Sequence, residues 1–225
     1  MTTADDTRAQ QRQTWDRFSG GWEKWDHLVM GMLAPVGEEM IRHLGVGEST
    51  HHLDVAAGTG EPGLTIAGMA PRGRVVITDL APGMLDAARR NVARRGLSNV
   101  EVQECSADAL PFADASFDSV SCRFGFMFFP DVAAATEEFV RVLKPGGTVC
   151  TAVWAEAPGN PWVTVPMRAI GAEVELPAPP PDAPGMFRWA TPGVISSVFA
   201  QAGLREVGES DVHSTMPSLA AEEYW

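Results

Sequence analysis

Three carboxylates and a run of glycines carry the chemistry that this sequence can do. Gly58-Thr59-Gly60-Glu61-Pro62-Gly63 has the spacing GxGxxG. It directly follows a short apolar run, His51 to Ala57, and precedes a helical pattern. Glycines at such a turn let the backbone approach a ligand closely, and the helix that follows offers unpaired N–H groups. The pattern fits a nicotinamide dinucleotide as well as other nucleosides, and a tight turn with no ligand is a further reading. Asp54 stands four residues before Gly58, at the end of the first strand, where it would repel a pyrophosphate and welcome an amino group. Asp79 ends a second strand, where a carboxylate can accept hydrogen bonds from ribose hydroxyls. Asp108 follows a third strand and can accept from an exocyclic amine; taken alone it would read as an exposed loop acid. Three acids at three successive strand ends form a pattern that no single one of them makes.

Those residues need a sheet to hold them. His51–Ala57, Arg74–Asp79, Val100–Cys105, Phe117–Cys122 and Thr148–Trp154 read as strands, with Leu204–Ser214 as a sixth. Helical segments lie between most of them. Pro82–Arg95 opens with Pro in its first turn and stops at Gly96, and Asp131–Leu143 stops at Lys144-Pro145-Gly146-Gly147. Strands alternating with helices imply βαβ units, so the expected fold is α/β, a doubly wound and mainly parallel sheet. Before the core, residues 1–47 form a helical lid. There Trp15, Phe18, Trp22 and Trp25 share one helical face, Gly20-Gly21 breaks it into two short helices or a hinged one, and Pro35–Leu44 makes another. Residues 48–155 form the binding core. Residues 156–190 form a Pro-rich cap (Pro177, Pro179, Pro180, Pro181, Pro184) with a short helix near Val163–Glu175. Residues 191–225 return a helix, capped by Thr191 with Pro192 at its first position, and the sixth strand.

Read in order, LDVAAGTG (Leu53–Gly60), ITDL (Ile77–Leu80), SADALPF (Ser106–Phe112), FDSVSCRFGFMFFPD (Phe117–Asp131) and LKPGG (Leu143–Gly147) resemble the successive motifs of class I S-adenosylmethionine (SAM)-dependent methyltransferases. The ubiquinone/menaquinone-biosynthesis-like (type 11) group is the nearest in character, and the resemblance covers roughly Leu53 to Ala155. It implies SAM as cofactor. Asp54, Gly58 and Gly60, with Ala56 in the same turn, would hold the methionyl part. Asp79 would grip the ribose, and Leu80 and Met84 would pack on adenine. Asp108 with Ala109 and Leu110 would read its edge, and Arg123 would lie near the methyl end. The family's fold adds a seventh, antiparallel strand. Only six candidates are readable here, and Glu223-Tyr224-Trp225 reads as mid-helix, so a C-terminal truncation is expected.

By that resemblance the protein is an enzyme that methylates a small, apolar or aromatic acceptor on O, N or C. Trp22, Trp25, His27, Phe126, Met127, Phe128 and Trp162 are the candidate pocket, although each is as readily part of the core. No catalytic residue is assigned; His27 and His213 are the candidate bases should the acceptor need one. Two alternatives stand beside this reading. One is an NAD(P)-dependent oxidoreductase, which Asp54, the Asp108 motif and the roughly 50 residues ahead of the glycines speak against. The other is a SAM-binding partner protein without activity.

Composition closes off other classes. The net charge is -12, with 29 Asp and Glu against 17 Lys and Arg. Such a balance is a poor partner for nucleic acid or anionic lipid. The 225 residues, 45% hydrophobic, suffice for one domain with a modest cap. Cys105, Cys122 and Cys150 form no CxxC pair and show no metal-ligand spacing, consistent with buried thiols in a reducing, cytoplasmic setting. No stretch is long and apolar enough for a membrane span. A sixth strand at the sheet's edge would leave it open to homodimerisation.

Overall fold

The computed structural model describes residues 3–175 and 183–215. Among these residues five strands form one sheet: β1 (His51–Val55), β2 (Arg74–Asp79), β3 (Val100–Glu104), β4 (Phe117–Arg123) and β5 (Leu143–Ala152). Their order is β3-β2-β1-β4-β5, and every neighbouring pair is parallel. Parallel neighbours need crossovers, which α2 (Gly63–Met69) and α3 (Pro82–Arg95) supply on one side and α4 (Val132–Val142) on the other. The central strands β1, β2 and β4 are buried along most of their length because both faces are covered, whereas the outer strands β3 and β5 are only partly buried. Leu64, Ile66, Val75, Ile77 and Ala88 fill one layer. Leu53, Val120, Phe126, Phe139 and Phe199 fill the other, the last from α6 (Val194–Gln201).

Strand order reverses between β1 and β4. Above that point the two crossovers leave in opposite directions, and a crevice opens outside the carboxyl ends of the strands. Across the same edge runs α1 (Ala4–Leu44), 41 residues and about 60 Å of helix. It opens with a capping box between Thr3 and Asp6 and closes at Gly45, in the left-handed region at φ 62°. A further helix, α5 (Pro161–Glu173), brings Trp162 of its first turn to the same crevice.

The structure corrects three expectations. First, α1 is one helix, unbroken at Gly20-Gly21 or Pro35. Two glycines and a proline lower helix propensity, but tertiary bonds hold the helix along its length. Asp16 accepts from Gly83 N–H (2.8 Å), Glu23 pairs with Arg90 and Asp26 accepts from the Thr59 hydroxyl. Second, Leu204–Ser214 forms no strand. Glu209 instead turns its carboxylate onto the start of α6, accepting from Gly193 N–H (2.8 Å) and Ser196 N–H (3.0 Å). That bond also replaces the expected Thr191 cap, so α6 begins at Val194. Third, β5 starts at Leu143, with Lys144–Gly147 carried inside it across a register shift rather than in a turn before it. Pro177, Pro179, Pro180, Pro181 and the Glu223–Trp225 segment lie outside the described residues.

Candidate active site

At the carboxyl end of β1 the chain enters the left-handed region twice in three residues, at Ala56 (φ 54°) and Gly58 (φ 57°), and Gly60 follows at φ 116°. Gly60 has no room for a side chain: a Cβ there would sit 2.8 Å from Leu64 Cδ1. Across the crevice, Asp79 fixes two loops at once. Its Oδ2 accepts from Gly58 N–H (2.9 Å) and its Oδ1 from Ala81 N–H (2.9 Å). Burial raises its pKa, and these backbone donors oppose the rise.

Asp54 is fully buried in β1. Its Oδ2 accepts from Gly63 N–H (2.8 Å) and its Oδ1 from the Ser121 hydroxyl (2.6 Å). Burial pushes its pKa up to about 7. Beneath it, His52 is buried between Ser119 and Ser121, and burial lowers the imidazole to about 3. Arg123, at the end of β4, is desolvated, which lowers its pKa, while Asp54, Glu61 and Asp26 oppose the fall. Its Nη2 rests 2.9 Å from Met30 Sδ of α1.

Above these groups lies a cavity of about 210 Å³. One wall is the β1 turn, Val55–Thr59 with Glu61; the next is Asp79, Leu80 and Met84; then come Cys105–Ala107 after β3 and Arg123–Gly125 after β4. Helix α1 roofs it with Arg8, Gln11, Trp15, Trp22, Met30 and Leu33. Two aromatic groups face the interior. Trp15 meets Phe128 edge-on (5.0 Å) and Trp22 at 6.2 Å; Phe124 stacks on Trp154 (4.2 Å, 17°), which meets Trp162 at 5.0 Å. Burial pushes the Cys105 thiol up to about 11, so it stays protonated.

Of the residues expected at the site, Ala56, Gly58, Asp79, Leu80, Met84, Arg123, Trp22, Met127, Phe128 and Trp162 line this cavity. The others stand elsewhere. Asp54 and Gly60 lie under the loop and shape it. Asp108 is held by Arg8 Nη2 (2.6 Å) and by Ser106, and only 7% of its side chain is exposed. Burial disfavours its ionisation, but the Arg8 and Ser106 bonds prevail and hold its pKa low. Ala109 is exposed, and Leu110 is core, its N–H bonded to Glu138. Phe126 is core, with no exposed surface, whereas Trp25, His27 and His213 face solvent. Arg8, Gln11, Trp15, Met30, Glu61, Phe124 and Trp154 are among the cavity-lining residues that sequence reasoning missed. The signal for Arg8, Gln11 and Trp15 was present as an i, i+3, i+7 face leading to Trp22, hidden by reading a break at Gly20-Gly21.

The glycine turn, the Asp79 carboxylate and the apolar Leu80 and Met84 fit an adenosyl ligand, and known proteins agree. Residues 53–147 match a methyltransferase domain family. An uncharacterized protein of Mycobacterium tuberculosis is 40% identical over 135 residues, 59% of this chain and 48% of the relative. The demethylmenaquinone methyltransferase of Thermus thermophilus is 48% identical over 95 residues, 42% of this chain and 43% of the relative. A SAM-dependent methyltransferase from Aquifex aeolicus shares the fold, with a TM-score of 0.56 at 23% identity over 75% of this chain and 79% of that one. The chain thus spans about half the length of the curated relatives it matches. These matches displace the nicotinamide reading of the glycine turn. Residues 53–147 carry a methyltransferase domain, and over them the chain is similar to class I SAM-dependent methyltransferases of the ubiquinone/menaquinone-biosynthesis-like kind, which points to S-adenosylmethionine as the cofactor.

Proposed function

We propose that this protein methylates a small acceptor with an aromatic or apolar body, using SAM. The observation that carries the reading is that one cavity joins the glycine turn and Asp79 to the Trp15/Trp22/Phe128 and Phe124/Trp154/Trp162 groups. The cofactor, when bound, supplies a sulfonium methyl as electrophile. What remains for the chain is to hold, orient and keep water out, and orientation alone can lower a barrier by about 7–11 kcal/mol in favourable cases. Asp79 and the β1 turn suit the ribose and methionyl parts, Leu80 and Met84 suit the adenine, and Arg123 lies toward the methyl end. Aromatic faces offer a flat acceptor stacking partners with little entropy to lose. Among the described residues no histidine lines the cavity, and Glu61, which does, is committed to Arg95 and Thr65 N–H, which favours a nucleophile that is positioned rather than deprotonated.

Calorimetric titration with SAM, S-adenosylhomocysteine and NADH tests the cofactor half. Micromolar binding of both adenosyl ligands, its loss in Asp79→Ala and no binding of NADH are expected. A folded protein that binds neither adenosyl ligand overturns the proposal. An acceptor screen by tritiated methyl transfer tests the other half, starting from demethylmenaquinone, which the name of the Thermus thermophilus relative supplies.

A further inference from the structure

Beneath the glycine turn lies a polar chain that the transfer reaction does not touch. Ser119 Oγ is 2.7 Å from His52 Nδ1, His52 Nε2 is 2.8 Å from Ser121 Oγ, and Ser121 donates to Asp54 Oδ1 at 2.6 Å. All four residues are buried, at 1% exposure or less. Asp54 ends the chain by taking Gly63 N–H, the first residue of α2, and so anchors the far end of the turn whose other residues line the cavity.

Counting protons gives the chain a direction. A hydroxyl has one proton to donate. While Asp54 is a carboxylate, Ser121 must spend that proton on it and can only accept from His52. Nε2 then carries the ring proton, and Nδ1, left bare, accepts from the Ser119 hydroxyl. When Asp54 is protonated it donates to Ser121, Ser121 donates to Nε2, and the ring proton moves to Nδ1. Ser119 accommodates that state too, because its hydroxyl oxygen can accept from Nδ1–H at the same 2.7 Å contact. We propose that His52 is a positioning residue for the cofactor turn: through Ser121 it holds Asp54 as the carboxylate that anchors Gly63, and its tautomer tracks the charge of Asp54. The charged and titratable groups facing Asp54 are Arg123 and the Cys122 thiol from β4 and Glu61 from the turn. The relay itself is independent of the cofactor assignment, whereas its effect on binding rests on the SAM reading.

The test is nitrogen NMR of histidine-labelled protein, with the His52 signals assigned by their loss in His52→Gln. Nε2 is expected to carry the proton at pH 8.5 and Nδ1 at pH 5.5, with the ring neutral at both. One unchanging tautomer, or an imidazolium at pH 5.5, overturns the proposal. Binding of S-adenosylhomocysteine supplies the functional arm. Ser121→Ala should weaken it about tenfold at pH 7, the scale of one hydrogen bond to a charged group. The loss should shrink as the pH is raised to 9, and Ser121→Thr, which keeps the hydroxyl, should bind as the unaltered protein does. A loss that ignores pH makes Ser121 a packing residue and overturns the proposal. Should the unaltered protein bind no S-adenosylhomocysteine, the cofactor reading fails, and the tautomer measurement still decides the relay.

Discussion

Asp54 and His52 titrate in opposite senses across one pH window. Asp54 rises from 3.8 to about 7 on folding, so the stability it contributes is complete below pH 3.8 and is lost as pH rises through 7. His52 falls from 6.5 to about 3, so its contribution is complete above pH 6.5 and is lost as pH falls through 3. Between these limits the unfolded chain carries a proton on His52 and the folded chain carries it on Asp54, so the two slopes cancel. Removing either partner should expose the other. Relative to the unaltered protein, His52→Gln should lose stability by about 1.4 kcal/mol per pH unit as pH rises from 4.5 to 6.5, and Asp54→Asn should gain it at a similar slope. Urea unfolding at three pH values in that range measures both, and parallel profiles for the three proteins would sink the argument. At this scale the sequence made the positions of Asp54, Asp79 and Gly58 legible, because strand ends and glycines announce themselves by spacing. The direction of a side chain at a strand end was not legible. Asp54 points down into Ser121 because β4 lies beside β1, a pairing that no local pattern encodes.

Helix α1 shows what an element can hide. Its aromatic face was readable, yet Trp15 and Trp22 turn into the cavity while Phe18 and Trp25 stay in water. The difference is set by where the helix lands, and that depends on long-range pairs. Arg8 reaches Asp108, Arg12 reaches Glu104, and Glu23 reaches Arg90. The first pair bears on function. Arg8 and Ser106 stand between the Asp108 carboxylate and the cavity, in the place where an adenine amine would seek it. If Asp108 is to take the adenine amine, Arg8 competes with the cofactor for that one carboxylate. Arg8→Met should therefore tighten S-adenosylhomocysteine binding about two- to fivefold, the worth of a partly exposed ion pair. Calorimetry checks this against Asp108→Ala, which should weaken binding. Weaker binding in Arg8→Met would instead make Arg8 part of the adenine site.

Over the whole molecule, the βα alternation was enough to anticipate a parallel, doubly wound sheet, since crossover handedness and chain economy leave few other arrangements. The course of residues 204–215 was not, because Glu209 is held by the start of α6 rather than by a strand neighbour. The same balance of local and distant forces gives the charge distribution a consequence. With a net charge of -12 the body repels itself, and added salt relieves that repulsion. The first half of α1 is tied to the core by exposed or partly exposed ion pairs, which added salt weakens. One variable should therefore move two parts of the protein in opposite directions. Raising NaCl from roughly 0.05 to 0.5 M, which shortens the screening length below the spacing of most surface charges, should raise or hold the melting temperature. Over the same range, hydrogen exchange in residues 4–30 should accelerate while β1, β2 and β4 keep their protection. If α1 and the sheet respond alike, the helix is held by its apolar contacts at Leu33, Val36 and Met40 alone, and the ion pairs along its first half are incidental. If they diverge, α1 is an electrostatically attached roof over a hydrophobically assembled sheet, and salt should raise the rate at which adenosyl ligands enter.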